Sequence, residues 1–332
     1  MRAFVSGWTG RRLGLANFTQ AGDANAKELV ELFDRAGTLA EFNSGTYAGV
    51  SLHALALWAR YMPSDSVMGK NGARMLSRTW TSLAELYHAG LKNSAGPWDR
   101  TYGYDMNRYL SILGLHIWSL VGREASPIAE EPYAMSHSSD FAFAPLIAVM
   151  AVFHNSSVVP EGVIQRLKEF PGEHTVRTSA FSPPYDTYPR NISAWLSDSI
   201  TIGAETFNET EVGGPSLSSD SFSPAVVQWD AGDANGVGWL KWYATEPSLI
   251  AKVSPGILNL TYPYGNHSSI FTFFVSTFVD RVDVTSWDDV QAGGLAVNVS
   301  GNANLTYEVS FNGQFGGAGE TIKWVFFFRV AQ

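Results

Sequence analysis

Up to about residue 170, apolar positions recur with a helical period. "DANAKELVELFDRAG" predicts a helix capped by Asp23, with Leu29, Val30, Phe33 and Ala36 on its buried face and Gly37 as its stop. "TYAGVSLHALALWARYM" is apolar nearly all round and predicts a buried helix. "SVMGKNGARMLSRTWTSLAELYHAG" is long and amphipathic and ends at Gly90. "MNRYLSILGLHIWSLVG" is again apolar on most faces and ends at Gly122. "FAPLIAVMAVFH" predicts a third fully apolar helix, with Pro145 in its first turn, where no N–H is missed. "PEGVIQRLKEF" closes this half as a short amphipathic helix.

From about residue 173 the period changes to two. Strands are predicted at Thr175–Phe181, Ile192–Glu205, Ser223–Trp229, Gly236–Ala244, Ile250–Tyr262, Ser269–Val279, Gly294–Ser300, Leu305–Phe311 and Thr321–Val330. With no helical pattern between them, the sheets are expected to be antiparallel and stacked as a sandwich. The hinge is "FPGEH", which divides the chain into 1–170 and 171–332.

The helical half alternates amphipathic helices (24–36, 66–89, 160–169) with all-apolar ones (47–62, 106–121, 142–154). Two concentric layers produce that alternation, so the expected fold is an α/α toroid followed by an antiparallel β-sandwich. Every connection from an outer to an inner helix then lies at one end of the barrel. Those connections are "EFNSGT" (41–46), "GPWDRTYGYD" (96–105) and "MSHSSD" (135–140), each loaded with polar or aromatic groups. They are expected to converge on one concave rim, with helix N-termini that favour an anion. A closed double layer needs more than the six or seven helices counted here, so an incomplete or N-terminally truncated toroid is expected.

Composition narrows the classes. Among 332 residues, 45% are apolar and 16% charged, as in a globular protein. A net charge of -9 argues against a nucleic-acid partner. No apolar run is long enough to span a membrane. Without cysteine the redox compartment is silent, but N-x-[ST] occurs at Asn17, Asn155, Asn191, Asn208, Asn259, Asn266, Asn298 and Asn304. Chance placement gives about two to three such sites in a chain of this composition. The excess points to a secreted, N-glycosylated protein, although "MRAFVSGWTGRRLG" lacks the apolar core of a signal peptide. Truncation would account for that too. No zinc, P-loop, dinucleotide or G-x-S-x-G pattern occurs, and no cofactor is expected. "DAGDANG" reads as a hairpin turn, and Trp239, Trp242 and Tyr243 read as core before cleft.

The order of elements, with Asn43 before one inner helix, Arg100, Tyr102, Tyr104 and Arg108 before another and His137 before a third, resembles the secreted polysaccharide lyases of the α/α-toroid plus β-sandwich type. That resemblance implies β-elimination from a uronic-acid polysaccharide, an anionic polymer. Asn43, His137 and Arg100 are the candidates to neutralise the substrate carboxylate, and Tyr102 or Tyr104 is the candidate base. A tyrosine titrates near 10, so it needs cations beside it, and Arg100 and Arg108 could supply them. Trp98 would stack on a sugar, and Tyr47, Asp99 and Asp105 would complete the binding wall. Structural readings stand beside these: Asn43 and Ser44 as a helix cap, Tyr102 and Tyr104 as packing, Asp99 and Arg100 as an ion pair, His137 as a solvated loop residue. His53, His88 and His116 lie inside helices and read as packing residues. Two other functions compete. A glycoside hydrolase would use a carboxylate pair from Glu41, Asp99, Asp105 and Asp140, and a carbohydrate-binding protein would have an inert cleft.

Overall fold

The computed structural model describes residues 1–101, 110–128, 138–154, 158–184, 186–209, 222–232, 236–243, 246–276 and 286–302, and the backbone of 303–311 and 325–330. Helices occupy the N-terminal part: α1 (Arg2–Leu13), α2 (Ala16–Ala36), α3 (Thr46–Tyr61), α4 (Val67–Leu86), α5 (Ser111–Val121), α6 (Ala144–Met150) and α7 (Glu161–Lys168). A short ladder, β1 (Tyr87–His88) with β2 (Asn93–Ser94), follows α4. The C-terminal part is rich in antiparallel strand.

Several helix boundaries depart from the sequence pattern. Asp23 caps nothing. It lies inside α2 and binds Arg11 of α1 at 2.8 Å, because the helix starts seven residues earlier, at Ala16. The buried stripe of α2 is Gly22, Ala26 and Phe33, while Leu29 is 38% exposed. Ser66 caps α4 by accepting from the Gly69 N–H. That helix stops at Leu86, short of the Gly90 stop that the sequence pattern predicts, and a two-residue ladder takes up the next segment.

The centre of the helical core is α3 beside α4 and α5. Gly49 makes the α3–α5 contact possible: a Cβ there would lie 2.5 Å from the Leu113 nitrogen. The third apolar helix is not covered on both sides. α6 is short, flanked by 3-10 turns at 138–143 and 151–153, and packs one face on α3 and α5. Its other face leaves Leu146, Val149 and the following Val152 more than half exposed.

Trp80, fully buried in this core, donates its indole N–H to His154 Nδ1 at 3.1 Å. That bond assigns the His154 proton to Nε2. His116 lies 4.8 Å from His154 between ring centroids and holds the Gly49 carbonyl through Nε2 at 3.1 Å. His53 is 6.5 Å from His116. Burial disfavours the charged form of all three, with mutual repulsion adding to it for His116 and His154, and it brings His154 down to about 4. The packing reading of His53 and His116 describes where they lie.

The strands form one connected antiparallel sheet: β3 (His174–Ala180), β4 (Arg190–Leu196), β5 (Ile200–Asn208), β6 (Ala225–Asp230), β7 (Val237–Tyr243), β10 (Ile270–Ser276), β12 (Val325–Val330) and β11 (Ala303–Phe311), neighbours in that order. A hairpin of β8 (Ser248–Ser254) and β9 (Ile257–Thr261) joins through the end of β5. Two predicted single strands are therefore hairpins, broken at 197–199 and at 255–256. Gly294–Ser300 is not a strand, and a short helix, α8 (Trp287–Ala292), precedes it. Leu295 and Val297 still pack inward.

Both faces of the sheet are covered. On one, Trp195, Ile202, Val227, Trp229, Leu240 and Trp242 form a core that Leu249, Ala251, Val253, Leu258 and Leu260 of the hairpin pack against. The other face meets the helices: Val176, Ala180, Ile192, Ala194 and Leu196 pack on Phe42, Leu86 and Ala95. Backbone closeness holds that second contact. A Cβ at Gly203 would sit 1.7 Å from the Gly96 carbonyl oxygen.

Two outcomes follow. Gly203→Ala should cost about 3 kcal/mol or more in urea unfolding, because the obstructing atom is backbone and cannot step aside. On acidification the unfolded His154 binds a proton near 6.5 while the folded one resists to about 4, so stability falls as pH drops through that window. His154→Gln, which keeps an acceptor for Trp80, should remove about 3 kcal/mol of that acid sensitivity, measured as the change in unfolding free energy between pH 7 and 4.

Candidate functional site

The stretch "SAGPWDRT" (94–101) is laid across the helix-facing side of the sheet, and each side chain can be placed. Trp98 pairs with Ser223 through two 2.9 Å backbone hydrogen bonds, as an extra rung on the sheet. Its ring is fully buried and its N–H points back to the Ser94 and Ala95 carbonyls. That corrects the sugar-stacking expectation: Trp98 anchors the connector and offers no open face. Gln228 donates to the Ser94 carbonyl at 2.7 Å and accepts from Asn93 at 2.6 Å. Thr101 lies 3.3 Å from the Ser223 hydroxyl and 3.5 Å from Nζ of Lys241, which is fully buried.

Asp99 meets Arg190 of β4 in a fork, NH1 to Oδ1 at 3.0 Å and NH2 to Oδ2 at 2.9 Å. Arg190 also donates to Glu205 of β5 at 3.0 Å and, through Nε, to Asp186 at 3.0 Å. All four side chains are at most 6% exposed. Strand register explains the meeting, since Ile192 sits opposite Glu205 and Ala180 opposite Arg190, so Arg190, Ile192 and Glu205 project from the same side. Burial works against the Arg190 cation, but Asp99, Glu205 and Asp186 outweigh it and hold its pKa above the ordinary value. Glu205 moves the other way for a carboxyl. Burial raises its pKa, and the neighbouring Asp99 adds to this against the pull of Arg190. The protonated form of Glu205 is thereby favoured relative to that of an exposed carboxyl. Its Oε1 has no hydrogen-bond partner among the described residues, a position that favours the uncharged form further.

Asn43 joins this cluster from the first connector. Its amide nitrogen donates to the Pro97 carbonyl at 2.7 Å and to Asp99 Oδ1 at 3.2 Å. Because both partners are acceptors, the amide orientation is fixed. Both N–H groups are therefore committed, and the carboxylate-neutralising role expected of Asn43 has no donor left to perform it. Its Oδ1, which has no hydrogen-bond partner among the described residues, is an acceptor. Neither Asn43 nor Ser44 caps α3, whose N-cap is Gly45 with no side-chain bond.

Two further bonds close the rim. Arg100 binds Glu41 through Nε at 3.0 Å, each side chain 41% exposed. The expected Asp99–Arg100 pair is thus two separate pairs, one buried with Arg190 and one wet with Glu41. Thr46 donates to Asp140 of the third connector at 2.9 Å and accepts the Ile112 N–H at 3.0 Å. The described parts of 41–46, 96–101 and 138–140 accordingly meet at one place. Tyr47 stands half-buried beside them at the start of α3. Tyr102, Tyr104, Asp105, Arg108 and His137 lie outside the described residues.

Sequence reasoning passed over Arg190, Glu205, Gln228 and Lys241. In "RNISAWL" the face that carries Arg190 also carries Ile192, Ala194 and Leu196, and in "TIGAETF" the face that carries Glu205 also carries Gly203, a signal that both polar groups lie under a covering layer. No group of three or more metal-ligating side chains suited to a metal ion is found among the described residues.

Replacing Arg190 with Met should lower stability by about 3–5 kcal/mol, since it strands buried carboxylates. Glu205→Gln should cost less than Arg190→Met at pH 7, because burial already favours the uncharged form of this side chain and the amide keeps an acceptor for Arg190. Urea denaturation of both variants checks the pair. A Glu205→Gln loss as large as that of Arg190→Met would show an ionised Glu205.

Residues 1–152 match a family model described as "Domain of unknown function (DUF8769)", and residues 172–331 match a second, "Domain of unknown function (DUF8770)". No curated protein and no solved structure matches the chain.

Proposed function

We propose that the chain is a secreted polysaccharide lyase that cleaves an anionic, uronic-acid-containing polymer at the rim where the three connectors meet. One observation carries the reading: Glu41–Arg100, Asn43–Asp99 and Thr46–Asp140 bring residues far apart in sequence to one place. Under this proposal α1 to α7 form an open arc of an α/α toroid, with α3 and α5 as inner helices. The sheet and the β8–β9 hairpin play the part of the sandwich and supply the wall behind the rim.

The chemistry follows from what is wet and what is dry. A half-exposed Arg100 held on Glu41 is suited to meet a substrate carboxylate and stabilise the enolate charge that develops beside it. A base then takes the proton from C5, the C4–O bond breaks, a C4=C5 double bond forms, and the leaving oxygen takes up a proton. Tyr102 and Tyr104 keep the base role by resemblance, and His137 and Arg108 a supporting one. Asn43 and Asp99 are positioning residues, because their polar groups are spent on Pro97, Arg190 and each other. Trp98 supports the wall from within.

A hydrolase reading is favoured by Glu41 and Asp140, two carboxylates in the same junction. One experiment separates the two: incubation with a panel of uronic-acid polysaccharides, followed by ultraviolet absorbance and reducing-end assay. The lyase reading expects both signals to rise together, with Tyr102→Phe, Tyr104→Phe or Arg100→Ala lowering turnover by about a hundredfold or more while the unfolding midpoint holds. Reducing ends without ultraviolet product would support hydrolysis and overturn elimination.

A further inference from the structure

The N-x-[ST] sites can be sorted by exposure, independently of any chemistry at the rim. Six of the eight have a described side chain at Asn: Asn17, Asn191, Asn208, Asn259, Asn266 and Asn298, and all six are exposed. The chain supplies its own control. Of the asparagines outside the motif that are described, Asn43 and Asn93 are buried, Asn25 and Asn71 are half-buried, and only Asn302 is exposed. The same side chain is thus sorted by whether a Ser or Thr follows two residues on, which an accidental motif would not do.

Their placement is consistent across different local structures. Asn259 alternates with Leu258 and Leu260, whose side chains pack on the core, so it projects from the far side of β9. Asn191 begins the face of β4 opposite to Arg190 and Ile192. Asn266 sits in the turn before β10, with its Oδ1 accepting from the Ser268 N–H. Asn298 follows Val297, which packs inward. No motif falls within 41–46, 96–105 or 135–140.

We infer that these six asparagines, none of which lies in a connector, are acceptors for N-linked oligosaccharide. In the reaction each Asn Nδ2 attacks the anomeric carbon of a polyprenyl-pyrophosphate-linked oligosaccharide. The N–C bond forms, the C–O bond to pyrophosphate breaks, the lipid pyrophosphate leaves, and Nδ2 gives up one proton. No redox partner is needed.

The test is site mapping on the full chain made behind a secretion leader in a eukaryotic host. Peptide-N-glycosidase F in heavy-oxygen water marks each formerly glycosylated Asn as labelled Asp, read by peptide mass spectrometry. Total chain, retained or secreted, is analysed, so a folding failure does not hide the result. Label is expected at Asn17, Asn191, Asn208, Asn259, Asn266 and Asn298, with none at Asn302. Each single Asn→Gln change at a labelled site should remove one step of mobility on a denaturing gel. Unlabelled Asn259, Asn266 and Asn298 in chain that has entered the secretory pathway would overturn the inference.

Discussion

A guanidinium sealed between two layers sets the terms for this protein. Arg190 projects from β4 into the helix–sheet junction, where water cannot solvate it. A buried cation is tolerable only with carboxylates and a full set of hydrogen bonds around it. Asp99 supplies the fork, Asp186 holds Nε, and Glu205 accepts from NH1. Since Asp99 belongs to a helical connector and Arg190 to a strand, meeting that electrostatic demand also fixes the two parts of the chain against each other. Asn43 extends the constraint to a second connector by donating to the same carboxylate.

The rim therefore has a dry floor and a wet lip. On the floor, Asn43, Asp99, Thr101, Gln228 and Lys241 are buried. On the lip, Arg100 and Glu41 stay open to solvent while paired. A floor of this kind resists rearrangement, because each polar group moved would be left without its partner in a poorly solvated place. An exposed ion pair carries little such penalty and is free to trade partners. Rigidity is accordingly assigned to the floor, while the lip can rearrange at little cost.

What could be read from residue order follows from which periodicities were unambiguous. Alternation of amphipathic and all-apolar segments located α3, α4, α5 and α7 and brought the described parts of three distant connectors to one place. It failed at α6, where an apolar segment proved half-open, since apolarity reports what a helix could bury and not what its neighbours cover. Period two located most strands but ran two hairpins together, at 197–199 and 255–256, where Ser-Asp-Ser and Pro-Gly were the turn signals that the alternation overrode. Asp99 was singled out but matched to the adjacent Arg100. Its true partner is contributed by a strand 91 positions along, and local spacing carries no information on such a pairing. Glu205 and Lys241 were hidden for a related reason: a charged residue alternating with apolar ones signals a solvent face unless a second layer is known to lie over it.

The buried fork also orders events during synthesis. Asp99 leaves the ribosome long before Arg190 exists, and Trp98 waits still longer for Ser223. Until those strands arrive, the second connector carries an acidic side chain and a large indole with nowhere dry to put them. The helical part can gain its own core from Trp80 and the residues around α3 while its rim remains unfinished. Completion of the rim is thus a late step, contingent on the downstream half of the polypeptide having emerged and paired.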